Sequence, residues 1–102
     1  MYSMPGQLLR VVFEDPEEER VREAAVAFER ELERVSAGEP VTVLPANPAP
    51  LSLLRGRYRY HLLAKGPLEG PTFQGLVDRA AELATGVSRP AIKLDVDPAS
   101  TG

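Results

Sequence analysis

Arg55-Gly56-Arg57-Tyr58-Arg59-Tyr60-His61-Leu62-Leu63 alternates in character from residue to residue. In an extended strand neighbouring side chains point to opposite faces, so Tyr58, Tyr60 and Leu62 share one side while Arg57, Arg59 and His61 share the other. One side suits a core and the other suits anions. From Arg55 to Lys65 there are four basic residues and no acidic one, within a chain of formal charge -3. Cationic character is therefore concentrated in this strand.

The flanking sequence supplies partners for such a strand. Gln7–Phe13 (QLLRVVF) is a β-rich apolar run with Leu9, Val11 and Phe13 on one parity and Leu8, Arg10 and Val12 on the other, which reads as a central strand. Asp15-Pro16 then opens a helix: Asp15 can cap, Pro16 suits the first helical position and Glu18 completes a capping box. Val21, Ala24, Ala25, Phe28, Leu32 and Val35 form one apolar stripe, and Gly38 offers a stop.

Val41–Leu44 is a brief strand running into Pro45-Ala46-Asn47-Pro48-Ala49-Pro50, where the prolines predict a stiff, extended loop rather than a paired strand. After the strand over 57–65, Gly66-Pro67 and Gly70-Pro71 predict turns. Thr72–Ala84 is a second amphipathic helix with Phe73, Leu76, Val77, Ala80 and Ala84 on one side. Ala91–Val96 alternates again, with Ile92, Leu94 and Val96 inward, Lys93, Asp95 and Asp97 outward, and Pro98 as terminator. The order β-α-β-β-α-β predicts an α+β plait: a four-stranded antiparallel sheet, both helices on one face, and the first and third strands in the middle. Arg10, Arg57, Arg59, His61, Lys93 and Asp95 then occupy the open face, with Arg10 placed to pair across strands with Asp95.

Composition bounds the function. One domain over 1–102 accounts for the length, burying roughly two-thirds of the surface that its unfolded form exposes. No apolar run approaches the ~20 residues that cross a bilayer, and no signal-peptide pattern opens the chain, so a soluble, cytoplasmic protein is expected. Without cysteine and with a single histidine, thiolate chemistry and histidine metal clusters are excluded. No metal or cofactor is expected. Residues 14–34 hold nine acids and four bases, leaving six acids and eight bases elsewhere. An anionic partner must meet the second set.

Several of these segments together resemble a known family. Tyr2-Ser3-Met4-Pro5, the capped helix, Val43-Leu44-Pro45-Ala46-Asn47-Pro48-Ala49-Pro50, Arg55-Gly56-Arg57-Tyr58-Arg59-Tyr60 and Leu94-Asp95-Val96-Asp97-Pro98 are similar, in this order, to the C-terminal domain of the primosomal protein N′ (PriA) family of bacterial replication-restart helicases. The family often has Tyr-Pro-Pro-Phe at the first of these and Gly-Pro before the loop; the arginine strand is intact. The resemblance implies a ferredoxin-like fold, similar also to ribosomal protein S10, at the end of a longer chain. It further implies a nucleoid-associated, cytoplasmic DNA-binding role. Its partners would be branched or single-stranded DNA, the acidic tail of single-strand-binding protein, other primosome proteins and the helicase domains of the parent chain. The family's ATPase lies in other domains, and the phosphate-binding motif G-x-x-x-x-G-K-[ST] is absent here, so an enzyme is not expected.

DNA phosphates favour arginine because its planar fork grips two oxygens and stays charged. Arg55, Arg57 and Arg59 supply such forks, about 7 Å apart by strand rise. Gly56 would allow close backbone approach, with His61 and Lys65 as further contacts. The same arginines also fit a structural reading, in which Arg59 and Arg10 neutralise Asp95 and Asp97; neither reading excludes the other. Tyr58 and Tyr60 could stack on bases, but their parity with Leu62 favours burial. Asp95-x-Asp97 reads better as a strand end than as a metal pair. The proline loop could be a rigid spacer or a partner groove, and no convergent acid–base set points to a stand-alone enzyme.

Overall fold

The computed structural model describes residues 6–38, 41–67 and 71–99. Along the chain it forms β1 (Gly6–Asp15), α1 (Glu18–Val35), β2 (Thr42–Val43), β3 (Asn47–Leu54), β4 (Arg57–Pro67), α2 (Pro71–Thr85) and β5 (Ala91–Ala99). The strands make one antiparallel sheet in the order β2-β4-β1-β5, with β3 also pairing with β4. The strand over Gln7–Phe13 and the arginine strand lie side by side in the middle, as the crossover rule predicts.

Alternation decides which face is which. Leu9, Val11 and Phe13 of β1 face the same side as Leu62 and Ala64 of β4, and all five are fully buried. Val21, Ala25, Phe28 and Leu32 of α1 and Phe73, Leu76 and Ala80 of α2 close over them. The Phe13 and Phe28 rings meet edge to face with centroids 5.0 Å apart, an arrangement that suits the aromatic quadrupole. Tyr58 and Tyr60 pack half-buried against this core, as their parity predicts. Burial raises the Tyr60 phenol above its ordinary value, and the nearby Glu18 carboxylate adds to the effect.

The sheet has five strands where the sequence predicts four. The proline segment does not stay a loop: from Asn47 it continues as β3, placing Asn47 opposite His61 and Pro48 opposite Tyr60. An edge position explains this, because an edge strand needs only half its ladder groups, and the register shifts between Pro48 and Leu53. β5 likewise runs past Pro98, which stands opposite Gln7 on the other edge. β4 extends through Gly66-Pro67, so the turn expected there is strand. β2 is reduced to Thr42–Val43. The Tyr2-Ser3-Met4-Pro5 arm and the turn before Pro71 lie outside the described residues.

Helix α1 also starts later than the capping box predicts. Its N-cap is Glu17, without a side-chain cap bond. Asp15 remains in the strand, buried. Its carboxylate accepts the Glu17 N–H at 2.9 Å and binds the Arg20 guanidinium at 3.2 Å, an Asx-type turn that sets the chain's direction into the helix. The helix ends at Val35 with Ser36 as its C-cap, and Gly38, at φ +81°, turns the chain two residues further on.

Carboxylates bind the helices to each other and to the loops. Glu29 accepts the Ala46 N–H at 3.0 Å. Glu31 receives Arg34 at 2.6 Å and, from α2, Arg79 at 2.9 Å. These two hydrogen bonds, Arg34 first, lower the Glu31 carboxyl from 4.5 to about 2. A lowered carboxyl contributes stability that is fully present above its unfolded value and is lost as pH falls through the folded one. Acid titration of the melting temperature should therefore separate wild type from Glu31→Gln above pH 4.5, with the gap closing toward pH 2. A constant gap would show that ionisation of Glu31 is irrelevant.

Gly66 reports on the same packing. A Cβ there would fall 2.6 Å from Cδ1 of Phe73, whose ring is buried in the core. Gly66→Ala is expected to cost about 1–3 kcal/mol in chemical denaturation, the usual range for overpacking a tight core.

Candidate nucleic-acid interface

The register lays out the face that the helices leave uncovered. Row by row along the strands it sets Arg59 beside Glu14 and Ala91, then His61 beside Val12 and Lys93, then Leu63 beside Arg10 and Asp95, and finally Lys65 beside Leu8 and Asp97. Arg57 lies one step beyond the first row, across from Leu54. Arg10, Arg57, Lys65, Lys93 and Asp95 are exposed; Arg59 and His61 are half-buried. Two shallow hollows open here. One, of about 240 Å³, is lined by Leu8, Arg10, His61, Leu63 and Asp95. The other, of about 420 Å³, includes Val12, Glu14, Arg59 and Lys93.

Cations differ in kind between the two sides of the molecule. Arg20, Arg22, Arg34 and Arg79, all on helices, are held by carboxylates. On the sheet, Arg57 reaches Glu14 only at 3.7 Å. Among the described residues Arg10, Arg55, Arg59, Lys65 and Lys93 take no part in an ion pair, and neither do Arg30 of α1 and Arg89. Arg10 does stand opposite Asp95, as the sequence suggests, but the two do not close an ion pair. Arg59 stands opposite Glu14, not Asp95. The expected neutralisation of the sheet arginines is thus absent at Arg10 and Arg59.

The strand thus brings Arg57, Arg59, His61 and Lys65 onto one face, while Arg55 and Gly56 sit at the tip of the β3–β4 hairpin. Arg55 has φ 54° and Gly56 φ 78°, the two positive values of a two-residue type I′ turn. Gly56 is explained by this turn, with nothing within 4 Å of its absent Cβ. Lys65 is eight residues along the strand from Arg57, about 26 Å by strand rise, so it belongs to the face but not to the arginine cluster.

The apolar floor of Leu8, Val12 and Leu63 is missing from the sequence-based expectation, which names only the charged and histidine residues of the open face. Parity combined with a register would have exposed it. Arg89, which shares a cleft of about 360 Å³ with Arg20, Arg57 and Ser88, also escapes that expectation, because the cleft joins segments far apart in sequence. No group of three or more histidine, cysteine or acidic side chains that could hold a metal occurs among the described residues.

Residues 5–99 match the family described as the primosomal protein N C-terminal domain. The chain belongs to that family. Membership gives this domain a primosomal, replication-restart role. No curated protein matches the sequence. Among solved structures, the de novo designed protein Foldit4 superposes with TM-score 0.67 at 17% identity, over 93% of this chain and 99% of that one. A hydantoinase/carbamoylase family amidase from Burkholderia ambifaria superposes with TM-score 0.57 at 15% identity, over 98% of this chain and 29% of that one. At such identities these likenesses concern the plait and not its chemistry. Among the described residues no helix is long and apolar enough to cross a membrane.

If Gly56 serves the turn, Gly56→Ala should lower stability by about 1–2 kcal/mol, the cost of a left-handed L-residue, and leave binding by the folded protein unchanged. Denaturation and DNA titration of the same sample separate these effects. Reduced affinity at full folding would give Gly56 a contact role instead.

Proposed function

We propose that this primosomal domain binds the phosphates of forked or single-stranded DNA on its open sheet face, through Arg57 and Arg59 with Arg55, His61 and Lys65 at the margins. The observation that carries this reading is the segregation of cations. The helix guanidiniums of Arg20, Arg22, Arg34 and Arg79 are held by carboxylates, whereas on the sheet Arg10 and Arg59 take no part in an ion pair and Arg57 has only the 3.7 Å contact with Glu14. An arginine without a carboxylate partner can exchange its hydration for a phosphate without first breaking an ion pair. Sequence preference is not expected, since phosphates carry none.

The domain would act without catalysis of its own, as the DNA-holding part of a longer cytoplasmic replication-restart protein whose nucleotide hydrolysis resides elsewhere. Family membership supports that setting. The acidic tail of single-strand-binding protein is the competing occupant, because a carboxylate-rich peptide satisfies the same guanidiniums.

Titrating the chain with labelled fork DNA and with a labelled acidic peptide over a range of salt tests the proposal. Fork affinity should fall linearly in log–log form with salt, and Arg57→Ala/Arg59→Ala should weaken binding and flatten the slope by roughly one unit for each phosphate no longer neutralised. Identical slopes in the double variant would remove these arginines from the interface. Binding of peptide but not DNA would transfer the face to a protein partner.

A further inference from the structure

Each cross-strand row of the open face contributes one unit cation, though not always from the same strand. Arg59 comes from β4, Lys93 from β5, Arg10 from β1 and Lys65 again from β4. Successive rows are two residues apart, about 7 Å, comparable to the step between phosphates in an extended single strand. Strands neighbour one another at about 4.8 Å, so side chains from β4 and β5 can converge above β1 from its two sides. The hollows holding Arg10 and Lys93 both lie against β1.

We infer that a single-stranded nucleic acid runs along the strand direction above β1, and that Lys93 and Arg10 are contact residues in addition to the β4 arginines. This rests on the DNA-binding reading above and assigns its path. The second row is the centre of that path: Lys93, Val12 and His61 include no carboxylate, whereas the other three rows bring in Glu14, Asp95 and Asp97. Lys93 is exposed and without an ion pair among the described residues, so its ammonium is available to a phosphate. Asp95 faces the same surface beside Arg10 and opposes an incoming phosphate. No phenyl, phenol or indole ring from the described residues lies on this face. With His61 the one aromatic ring from the described residues on this face, phosphate contacts rather than base stacking dominate what it holds.

The test uses a labelled thymidine oligonucleotide of about 20 nucleotides, with a blunt duplex of equal length as comparison, over a salt series. Lys93→Ala and Arg10→Ala should each weaken single-strand binding several-fold and reduce the log–log salt slope by about 0.7, while Arg30→Ala on the outer side of α1 leaves both unchanged. Asp95→Asn should strengthen binding, a gain that loss of folding cannot imitate. All four positions are exposed, and circular dichroism melting confirms that the variants fold. Unchanged binding in Lys93→Ala and Arg10→Ala, with loss in Arg57→Ala/Arg59→Ala, overturns the path while the DNA-binding reading stands. Tighter binding to the duplex than to the single strand also overturns it. Absence of salt-dependent binding by the wild type to oligonucleotide, duplex and fork alike removes the underlying reading itself.

Discussion

The antiparallel pairing of β1 with β4 is the constraint on which the rest of the structure depends. It runs from Gly6 opposite Pro67 to Asp15 opposite Tyr58, and each strand is apolar on alternate residues. Because the side-chain period is two, sliding either strand by one residue would carry its buried residues to solvent and its cations into the core. Burying Leu9, Val11, Phe13, Leu62 and Ala64 under two helices therefore fixes Arg10, Arg59, His61 and Lys65 on the far face as well. The position of the cations is a consequence of core formation. No separate interaction is needed to hold them out.

What could be read in the sequence follows from how local each signal is. Parity within the strand at Arg57 and the apolar stripe at Val21–Leu32 need only a few consecutive residues, and both hold. The order of central strands follows from handedness and holds too. The errors cluster where a residue's conformational preference met a tertiary context. Pro48 and Pro98 disfavour pairing in isolation, yet both occur in strands because they fall on the two edges of the sheet. Asp15 has the composition of a helix cap, but its carboxylate is recruited by the Glu17 N–H and Arg20 while its backbone still pairs in β1.

The site was legible to the same extent. Alternation alone gathers Arg57, Arg59 and His61. It does not say which residue of β1 or β5 lies beside each, because register is set by the whole hydrophobic pattern and its turns. Arg10 and Lys93 could be placed on the open face but not into rows, and the pairing of Arg10 with Asp95 was right in register and wrong in contact. Gly56 illustrates another ambiguity: a glycine among arginines suits both close ligand approach and a left-handed turn, and its φ establishes only the turn.

A net charge of -3 weighs by composition against the proposed DNA binding, and the fold offsets it by distance. Acids crowd α1, where Glu19 and Glu31 take up Arg22, Arg34 and Arg79. That helix lies across the core from the open face, a separation of at least its own diameter of about 10 Å. At physiological ionic strength screening acts over about 8 Å, so the outer surface of α1 exerts little repulsion on a phosphate above β1. Over the sheet the relevant charges are local ones: three acidic positions, Glu14, Asp95 and Asp97, against five cations from Arg10, Arg57, Arg59, Lys65 and Lys93. Local excess, rather than the sign of the whole chain, sets the potential that an approaching phosphate meets, and the two-sided burial pattern creates that excess.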